Sequence, residues 1–273
     1  MSPVQKSLLL CFVILGITIQ PAAAAELLDI AFTSTVDGTE QRYVLIAPDS
    51  HPTSSPQDLL IALHGHGADR WQFAKATRDE CRAARDMANR YGMIYVSPDY
   101  RARTSWMGPL AESDVVQIIQ DLKKKYKINR VFLCGASMGG SSALTFAARH
   151  PELVKGVAAM NPTVNHLEYQ NFQAEIAASF GGTKQEIPEE YKRRSAEYWP
   201  ERLTMPIGIT TGGQDHIVPA ESALRLVKVL QQLNRPVSLI HREEGKHSTT
   251  YEDATKILEF MIQSASEGQL NSE

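Results

Sequence analysis

The sequence contains little cysteine and none of the spacings typical of a protein metal site. Three cysteines occur in 273 residues, without a Cys-x-x-Cys pair and without a His-Glu-x-x-His motif. We therefore expect no metal and no cofactor. Cys81 and Cys134 lie in segments that predict a helix and a central strand, so we expect two buried thiols. A disulfide between them is the alternative, because exported proteins can form one.

An excess of charge of either sign is also missing. Lys and Arg number 28 against 31 Asp and Glu, which gives a formal net charge of -3. A nucleic-acid-binding domain normally carries a basic patch or stripe, so we predict no nucleic-acid partner. No internal repeat is visible, and the length suits one large α/β domain with a well-buried core.

The first 25 residues have the composition of a secretory signal peptide. Lys6 supplies a positive charge, residues 8–19 are apolar, and Ala22 to Ala25 supply the small residues of a cleavage site. The apolar stretch is short for a membrane span, which needs about 20 residues. We predict a signal peptide over residues 1–25, no stable membrane span after its cleavage, and a secreted or periplasmic mature protein. An uncleaved membrane anchor is the alternative.

Eight short segments have the composition of β-strands, and helical patterns separate most of them. The strand segments are 27–35, 41–47, 58–63, 93–97, 131–134, 156–160, 206–211 and 236–241. Asp37-Gly38 predicts a hairpin turn between the first two. Helices are predicted over 70–90, 111–126, 141–150, 220–233 and 251–261. This alternation predicts an α/β fold with a mostly parallel sheet, helices on both faces and an antiparallel leading hairpin.

The fifth predicted strand leads directly into Gly135-Ala136-Ser137-Met138-Gly139. This sequence fits the G-x-S-x-G motif, in which a serine lies on a sharp turn between a strand and a helix. Glycines allow the close backbone approach that such a turn requires. The following helix begins with free N–H groups that can face a developing oxyanion. We predict Ser137 as a nucleophile; a chance match in a loop is the alternative.

From about Leu27 to Met261 the chain resembles the α/β-hydrolase superfamily, with eight strands in this order and the nucleophile after the fifth. The resemblance implies the α/β-hydrolase fold, with the hydrolase domain over residues 26–265. It also implies a small helical cap inserted at about residues 163–205. A polar tail is expected at residues 266–273.

The same resemblance implies where the other catalytic residues lie, because its triad runs Ser, acid, His along the chain. Asp215 follows the seventh strand and is the expected acid; capping the next helix is its alternative role. His247 follows the eighth strand and is the expected base for Ser137. Three other histidines compete less well for this role: His64, His216 and His241.

An oxyanion hole needs two preorganised N–H donors. The resemblance places one at the backbone N–H of Met138, directly after the nucleophile. The second is expected in the loop His64-Gly65-His66-Gly67, which follows the third strand. We predict the backbone N–H of His66, with that of Gly67 as the next choice. A metal-binding histidine pair is the alternative for this loop, although no third ligand lies nearby.

Several features together are similar to secreted bacterial serine esterases, a grouping that includes feruloyl and acetyl-xylan esterases and polyhydroxyalkanoate depolymerases. These are the signal peptide, the loop from His64 to Gly67, and the turn around Ser137. The similarity implies hydrolysis of a small-molecule or oligosaccharide ester, carbohydrate- or phenol-linked, through an acyl-enzyme.

Two alternatives to an esterase stay open. The turn around Ser137 is also similar to the catalytic domain of prolyl oligopeptidases. A peptidase is less expected, since such enzymes usually carry a large propeller domain for which this sequence has no room. A non-catalytic binding protein on the same scaffold is the other alternative, although it would have no need for all three triad residues.

Three side chains follow the carboxyl ends of predicted strands, where α/β sheets bind ligands: Arg70, Arg101 and Trp106. We predict that they line the substrate pocket, with an arginine holding a carboxylate or a sugar hydroxyl. Solvated surface arginines are the alternative for the two cations.

Overall fold

The computed structural model describes residues 26–47 and 56–270. The predicted signal peptide, most of the loop predicted before the third strand and the last three residues lie outside this range.

Eight strands form one mixed sheet in the order β1-β2-β4-β3-β5-β6-β7-β8. They are β1 (Leu27–Thr33), β2 (Glu40–Ile46), β3 (Gln57–Leu63), β4 (Ile94–Pro98), β5 (Ile128–Ala136), β6 (Gly156–Met160), β7 (Ile207–Gly212) and β8 (Val237–Arg242). β2 runs antiparallel to both β1 and β4, and all other neighbours are parallel. The predicted α/β-hydrolase sheet is confirmed.

Helices cover both faces of this sheet. They are α1 (Trp71–Lys75), α2 (Asp79–Arg90), α3 (Pro109–Lys125), α4 (Met138–Arg149), α5 (Gln173–Phe180), α6 (Pro188–Arg193), α7 (Glu221–Gln232) and α8 (Tyr251–Leu270). The apolar run in the central strand β5 is continuous because helices cover both faces of the sheet there. Val131 and Leu133 pack on the face that carries α3, α4 and α7, whereas Phe132 and Cys134 pack on the face that carries α1, α2 and α8.

The parallel strands bring six loops to one edge of the sheet. β3, β4, β5, β6, β7 and β8 share one direction, so their carboxyl ends meet there. The residues that follow these ends include His64, Ser137, Asn161, Asp215 and His247. Ligands of open α/β sheets bind at this edge.

Residues 163–205, which we call the cap, contain α5, α6 and two short 3₁₀ turns. The side chain of Arg194 is 2% exposed and anchors the cap to α3. Its Nη1 atom lies 2.7 Å from a carboxylate oxygen of Glu112. Burial alone raises the pKa of Glu112, but the hydrogen bond from His150 and the charges of Arg194 and Arg149 lower that pKa to about 2. The cap is therefore fixed to the body by a buried ion pair.

The last helix is longer than the sequence predicts. The apolar face ends near Met261 and Ile262, and the prediction placed a polar tail soon after, but α8 continues to Leu270. Arg130 at the start of β5 donates a hydrogen bond of 2.8 Å to the hydroxyl of Ser266. This contact holds the polar turns of α8 against the sheet, which a pattern of apolar residues does not reveal.

Both cysteines of the described residues are buried and free, as predicted. Burial raises the pKa of the Cys81 thiol to about 12, so this thiol stays protonated at neutral pH. Within the described ranges, no helix is long and apolar enough to cross a membrane.

Candidate active site

Ser137 lies on a strained turn between β5 and α4. Its backbone has φ 58° and ψ -124°, a conformation that few non-glycine residues adopt. A Cβ atom on Gly139 would lie 2.0 Å from the Leu63 carbonyl oxygen, and one on Gly135 would lie 2.5 Å from the backbone of Gly139. The two glycines of the motif therefore allow strand and helix to approach closely enough to hold this turn.

The turn is also fixed by backbone hydrogen bonds. The N–H of Ser137 donates to the carbonyl of Met160 at 2.8 Å, and the N–H of Ser141 donates to the carbonyl of Ser137 at 3.0 Å. The backbone N–H of Met138 has no acceptor among the described residues. It is left free at the first position of α4, where the helix dipole favours a negative charge.

Asp215 and His247 meet at the ends of β7 and β8. The Nδ1 atom of His247 lies 2.6 Å from Oδ2 of Asp215. The other carboxylate oxygen accepts hydrogen bonds from the backbone N–H groups of Ile217 at 3.0 Å and Val218 at 2.9 Å. Burial raises the pKa of Asp215, but these hydrogen bonds outweigh burial and lower it overall. The carboxylate stays ionised and holds the Nδ1–H tautomer of His247.

The acid has a further support that the sequence analysis missed. Asn161, which follows β6, directs its amide towards Oδ2 of Asp215 at 3.4 Å. Its side-chain oxygen accepts a hydrogen bond of 2.6 Å from Thr249, whose hydroxyl lies 2.7 Å from that of Thr210. The position of Asn161 directly after a buried strand was the signal available for finding it.

Ser137 and His247 line the same cavity, but no hydrogen bond joins them in the structure. Hydrogen bonds between nucleophile and base are often long in unliganded enzymes and shorten when substrate binds. The arrangement therefore places a serine hydroxyl and an oriented imidazole on one small cavity.

The loop after β3 supplies the second candidate oxyanion donor. The N–H of Gly67 donates to the carbonyl of Arg103 at 2.9 Å, so the second-choice donor is occupied. The N–H of Gly65 donates to the side-chain oxygen of Gln72 at 2.7 Å. The N–H of His66 has no acceptor within the part of the chain that the structure describes. His66 thus keeps a free N–H, as an oxyanion donor requires.

The side chain of His66 packs against aromatic residues. Its ring centroid lies 4.2 Å from that of Phe172 in the cap and 6.1 Å from that of Trp106. Among the described residues, no group of three or more His, Cys, Asp or Glu side chains is arranged to hold a metal ion. His64 is buried behind the loop, with its ring nitrogens 2.9 Å and 3.0 Å from the carbonyls of Gly65 and Asp99.

The catalytic cavity has a volume of about 190 Å³. Its lining comes from the loop after β3, the region of α1 and α2, the turn at Ser137, the cap and the loops that contain Asp215 and His247. The lining residues are Gly65, His66, Gln72, Arg78, Glu80, Ala136, Ser137, Phe172, Ile217 and His247. The sequence analysis did not identify Gln72, Arg78, Glu80, Phe172 or Ile217 as lining residues.

Arg70, Arg101 and Trp106, which the sequence predicts as pocket residues, are not among the residues that line this cavity. Arg70 bridges Asp29 at 2.8 Å and Asp99 at 2.9 Å, which ties β1 to the loop after β4. These two carboxylates hold its guanidinium away from the cavity.

Arg101 and Trp106 have structural positions of a different kind. Arg101 forms an ion pair of 2.5 Å with Asp114 of α3 and another of 2.6 Å with Asp37 of the leading hairpin, and so links these two segments. Trp106 is 1% exposed and packs against His66 and against the cap residues Tyr169 and Phe172. Its backbone φ is 44°.

A larger cavity of about 810 Å³ lies between the cap and the far end of α4. Arg149 and Trp199 are among the residues that line it. Arg149 ends α4, whereas Ser137 precedes the start of that helix, so about 17 Å of helix separates the two places. We place the chemistry in the smaller cavity because Ser137 and His247 face it.

The sequence model of the prolyl oligopeptidase family matches residues 87–266, about two thirds of the chain. The chain belongs to this family. The matched region contains the turn around Ser137, the Asp215 loop and His247. No curated protein sequence matches the chain.

Solved structures of both peptidases and esterases share the fold. A puromycin hydrolase matches at 18% identity and a TM-score of 0.72, over 92% of this chain and 40% of that one. Porphyromonas gingivalis dipeptidyl peptidase 4 matches at 16% identity and a TM-score of 0.68, over 88% of this chain and 36% of that one. An S-formylglutathione hydrolase from Agrobacterium tumefaciens matches at 17% identity and a TM-score of 0.67, over 91% of this chain and 98% of that one. The chain spans well under half of the two peptide-hydrolase chains, and almost the whole of the esterase.

Proposed function

We propose that this protein is a serine hydrolase that cleaves carboxylic esters through an acyl-enzyme. The observation that carries the proposal is the contact of 2.6 Å between His247 Nδ1 and Asp215 Oδ2, beside a cavity that also exposes Ser137. A buried, ionised carboxylate facing one nitrogen of an imidazole leaves the other nitrogen free to accept a proton. That nitrogen is the general base that a serine nucleophile needs.

In the proposed reaction, the Ser137 hydroxyl oxygen attacks the ester carbonyl while Nε2 of His247 accepts its proton. The carbonyl oxygen becomes an oxyanion, which the free N–H groups of Met138 and His66 stabilise. His247 then donates its proton to the leaving alcohol, and the acyl group stays on Ser137. Water attacks the acyl-enzyme with His247 again as base, which releases the acid and restores Ser137.

The size of the cavity supports a small acyl group. A volume of about 190 Å³ is below the roughly 300–1,000 Å³ of sites that enclose drug-sized ligands. Phe172 and Ile217 give it an apolar wall. We propose that the acyl half enters this cavity and that a carbohydrate or phenolic alcohol half stays at its mouth.

A peptidase is the second candidate function. Membership of the prolyl oligopeptidase family favours it, and so do the dipeptidyl peptidase and puromycin hydrolase structures that share the fold. The same triad can form an acyl-enzyme from an amide. We also propose that the protein is exported, on the composition of residues 1–25 alone.

The decisive assay compares p-nitrophenyl esters of increasing acyl length with an amino-acyl anilide. We expect short esters to turn over fastest, and Ser137→Ala to lower kcat by about 10⁴-fold or more. Ser113→Ala, on an exposed part of α3, is the matched control and keeps full activity. Faster turnover of the anilide than of every ester would replace this proposal with the peptidase. Full activity in Ser137→Ala would refute both.

A further inference from the structure

Two charged residues on the wall of the catalytic cavity have no part in the proposed proton transfers. Arg78 lies in the short connection between α1 and α2, and Glu80 lies in the first turn of α2. Both line the cavity that holds Ser137 and His247. They are the only Arg, Lys, Asp or Glu side chains among the described residues that line it, so this pair dominates the charge that a bound ester meets.

The two side chains differ strongly in exposure. Glu80 is almost fully buried, with a side chain 6% exposed, whereas the side chain of Arg78 is 57% exposed. The Nε atom of Arg78 lies 2.7 Å from Oε1 of Glu80. The carboxylate is also favoured by its place at the N-terminus of α2. Glu80 therefore fixes one edge of the guanidinium and leaves its outer end at the mouth of the cavity.

The outer end of this guanidinium is unoccupied by protein acceptors. Neither Nη1 nor Nη2 of Arg78 makes a hydrogen bond with any of the residues that the structure describes. A neighbouring carboxylate, Asp79, is already paired with Arg82 at 3.2 Å. Two free N–H groups in a fixed plane match the two oxygens of a carboxylate.

We infer that Arg78 binds a carboxylate carried by the ester substrate, so that the enzyme prefers acidic esters over neutral ones. The inference rests on the proposed ester hydrolysis and deepens it by naming the charge of the substrate. Glu80 is a positioning residue, because it acts on the substrate only through the guanidinium. Positive esters are disfavoured, since an ammonium group reaches Glu80 only by displacing Arg78.

The test uses three aryl acetates that share one acyl group and differ in charge: phenyl acetate, 3-carboxyphenyl acetate and 3-(trimethylammonio)phenyl acetate. A second pair places the acid in the acyl half: p-nitrophenyl pentanoate and mono-p-nitrophenyl glutarate. Together the two series show which half of the ester carries the carboxylate. Rates are corrected for the uncatalysed hydrolysis of each ester.

We expect at least one acidic ester to exceed its neutral partner in kcat/KM by about tenfold at low salt, which corresponds to about 1.4 kcal/mol. Because Arg78 is half-exposed, salt should weaken this preference. Arg78→Ala should abolish it, chiefly by raising KM for the acidic ester. Arg78→Lys should retain part of the preference, since the charge remains but the planar fork is lost.

Arg82→Ala is the matched control, because Arg82 lies in the first turns of α2, close to Arg78, with a side chain 51% exposed, but does not line the cavity. It should keep the acidic preference. Equal rates for acidic and neutral esters in the native enzyme, or a preference that survives Arg78→Ala, would overturn this inference alone. A preference for the trimethylammonio ester would overturn it in favour of cation binding at Glu80. Failure to cleave any ester would overturn the proposed function and this inference with it.

Discussion

The two sides of the catalytic cavity are held in place by different parts of the molecule. On the base side, Asp215 is fixed by backbone N–H groups of its own loop and by Asn161, which follows a neighbouring strand. On the oxyanion side, the loop that contains His66 is held by the side chain of Gln72 and by packing against Phe172 of the cap. Most contacts on the base side come from loops at the ends of neighbouring strands, whereas those on the oxyanion side come from elements that pack against the sheet.

This difference distinguishes the contact between acid and base from the position of the oxyanion donor. The ends of β7 and β8 bring the acid and the base together, and the cap residues Tyr169 and Asn171 add hydrogen bonds to carbonyls of the Asp215 loop. The position of the oxyanion donor depends on the aromatic contacts between the cap and the loop. We therefore expect changes on the base side to remove catalysis, and changes in the cap to adjust it.

The largest effect is expected from Asp215→Asn on the base side. An amide at this position can donate to His247 and select the wrong tautomer, so kcat should fall by about 10³–10⁴-fold. Steady-state kinetics on a short ester, with thermal melting to verify folding, measures this. Asp121→Asn on the exposed part of α3 is the control and should change nothing. A loss below tenfold would mean that Asp215 does not orient the base.

An intermediate effect is expected on stability in acid, from His166 in the cap. Burial, with a smaller effect of the Arg194 charge, lowers the pKa of His166 from 6.5 to about 3. Neither ring nitrogen has a hydrogen-bond partner among the described residues. The unfolded chain gains a proton below about pH 6.5 while the folded protein does not, so His166 lowers stability as the pH falls towards 3.

His166→Leu should remove this part of the pH dependence. Between pH 7 and pH 4 the native protein should lose about 3 kcal/mol more unfolding free energy than the variant. Urea unfolding at both values measures the difference. His216→Leu, at an exposed position, is the comparison and should behave as the native protein does. Identical pH dependence in His166→Leu and the native protein would show that this imidazole is not buried unprotonated.

The smallest effect is expected from Phe172→Ala, where the cap meets the oxyanion loop. Losing the ring that packs on His66 at 4.2 Å should loosen one donor without removing it. We expect kcat to fall about tenfold, less than the roughly 10²–10³-fold cost of deleting a donor. The cap residue Tyr198 is 39% exposed, and Tyr198→Ala is the control. A kcat unchanged by Phe172→Ala would mean that the sheet alone positions the loop.

The residues that follow strands were accessible from the sequence. Ser137, Asp215 and His247 each follow a separate apolar run, and parallel strands bring such positions to one edge. The contact between Asp215 and His247 thus follows from the order of elements. Asn161 also directly follows a strand, but its part in the site depends on a side chain reaching Asp215 from the neighbouring strand end, which the order of elements does not specify.

The direction in which long side chains point could not be predicted from the sequence. Arg70 and Arg101 follow strand ends as binding residues often do, but carboxylates on distant segments turn them away from the cavity. Arg78 and Glu80 lie where the helical pattern after β3 breaks into two helices. Only the packing of those two helices shows that the break faces Ser137.

The place of β8 at one end of the sheet has a consequence for the protein while it is being made. β8 pairs with β7 alone among the described strands, and His247 follows it. The ribosome therefore completes the strand and turn of Ser137 long before it adds the base. A nascent chain that lacks His247 carries a serine hydroxyl with no group to take its proton, and such a hydroxyl is a weak nucleophile. On the proposed mechanism, we expect hydrolytic activity to begin only when the last strand of the sheet is in place.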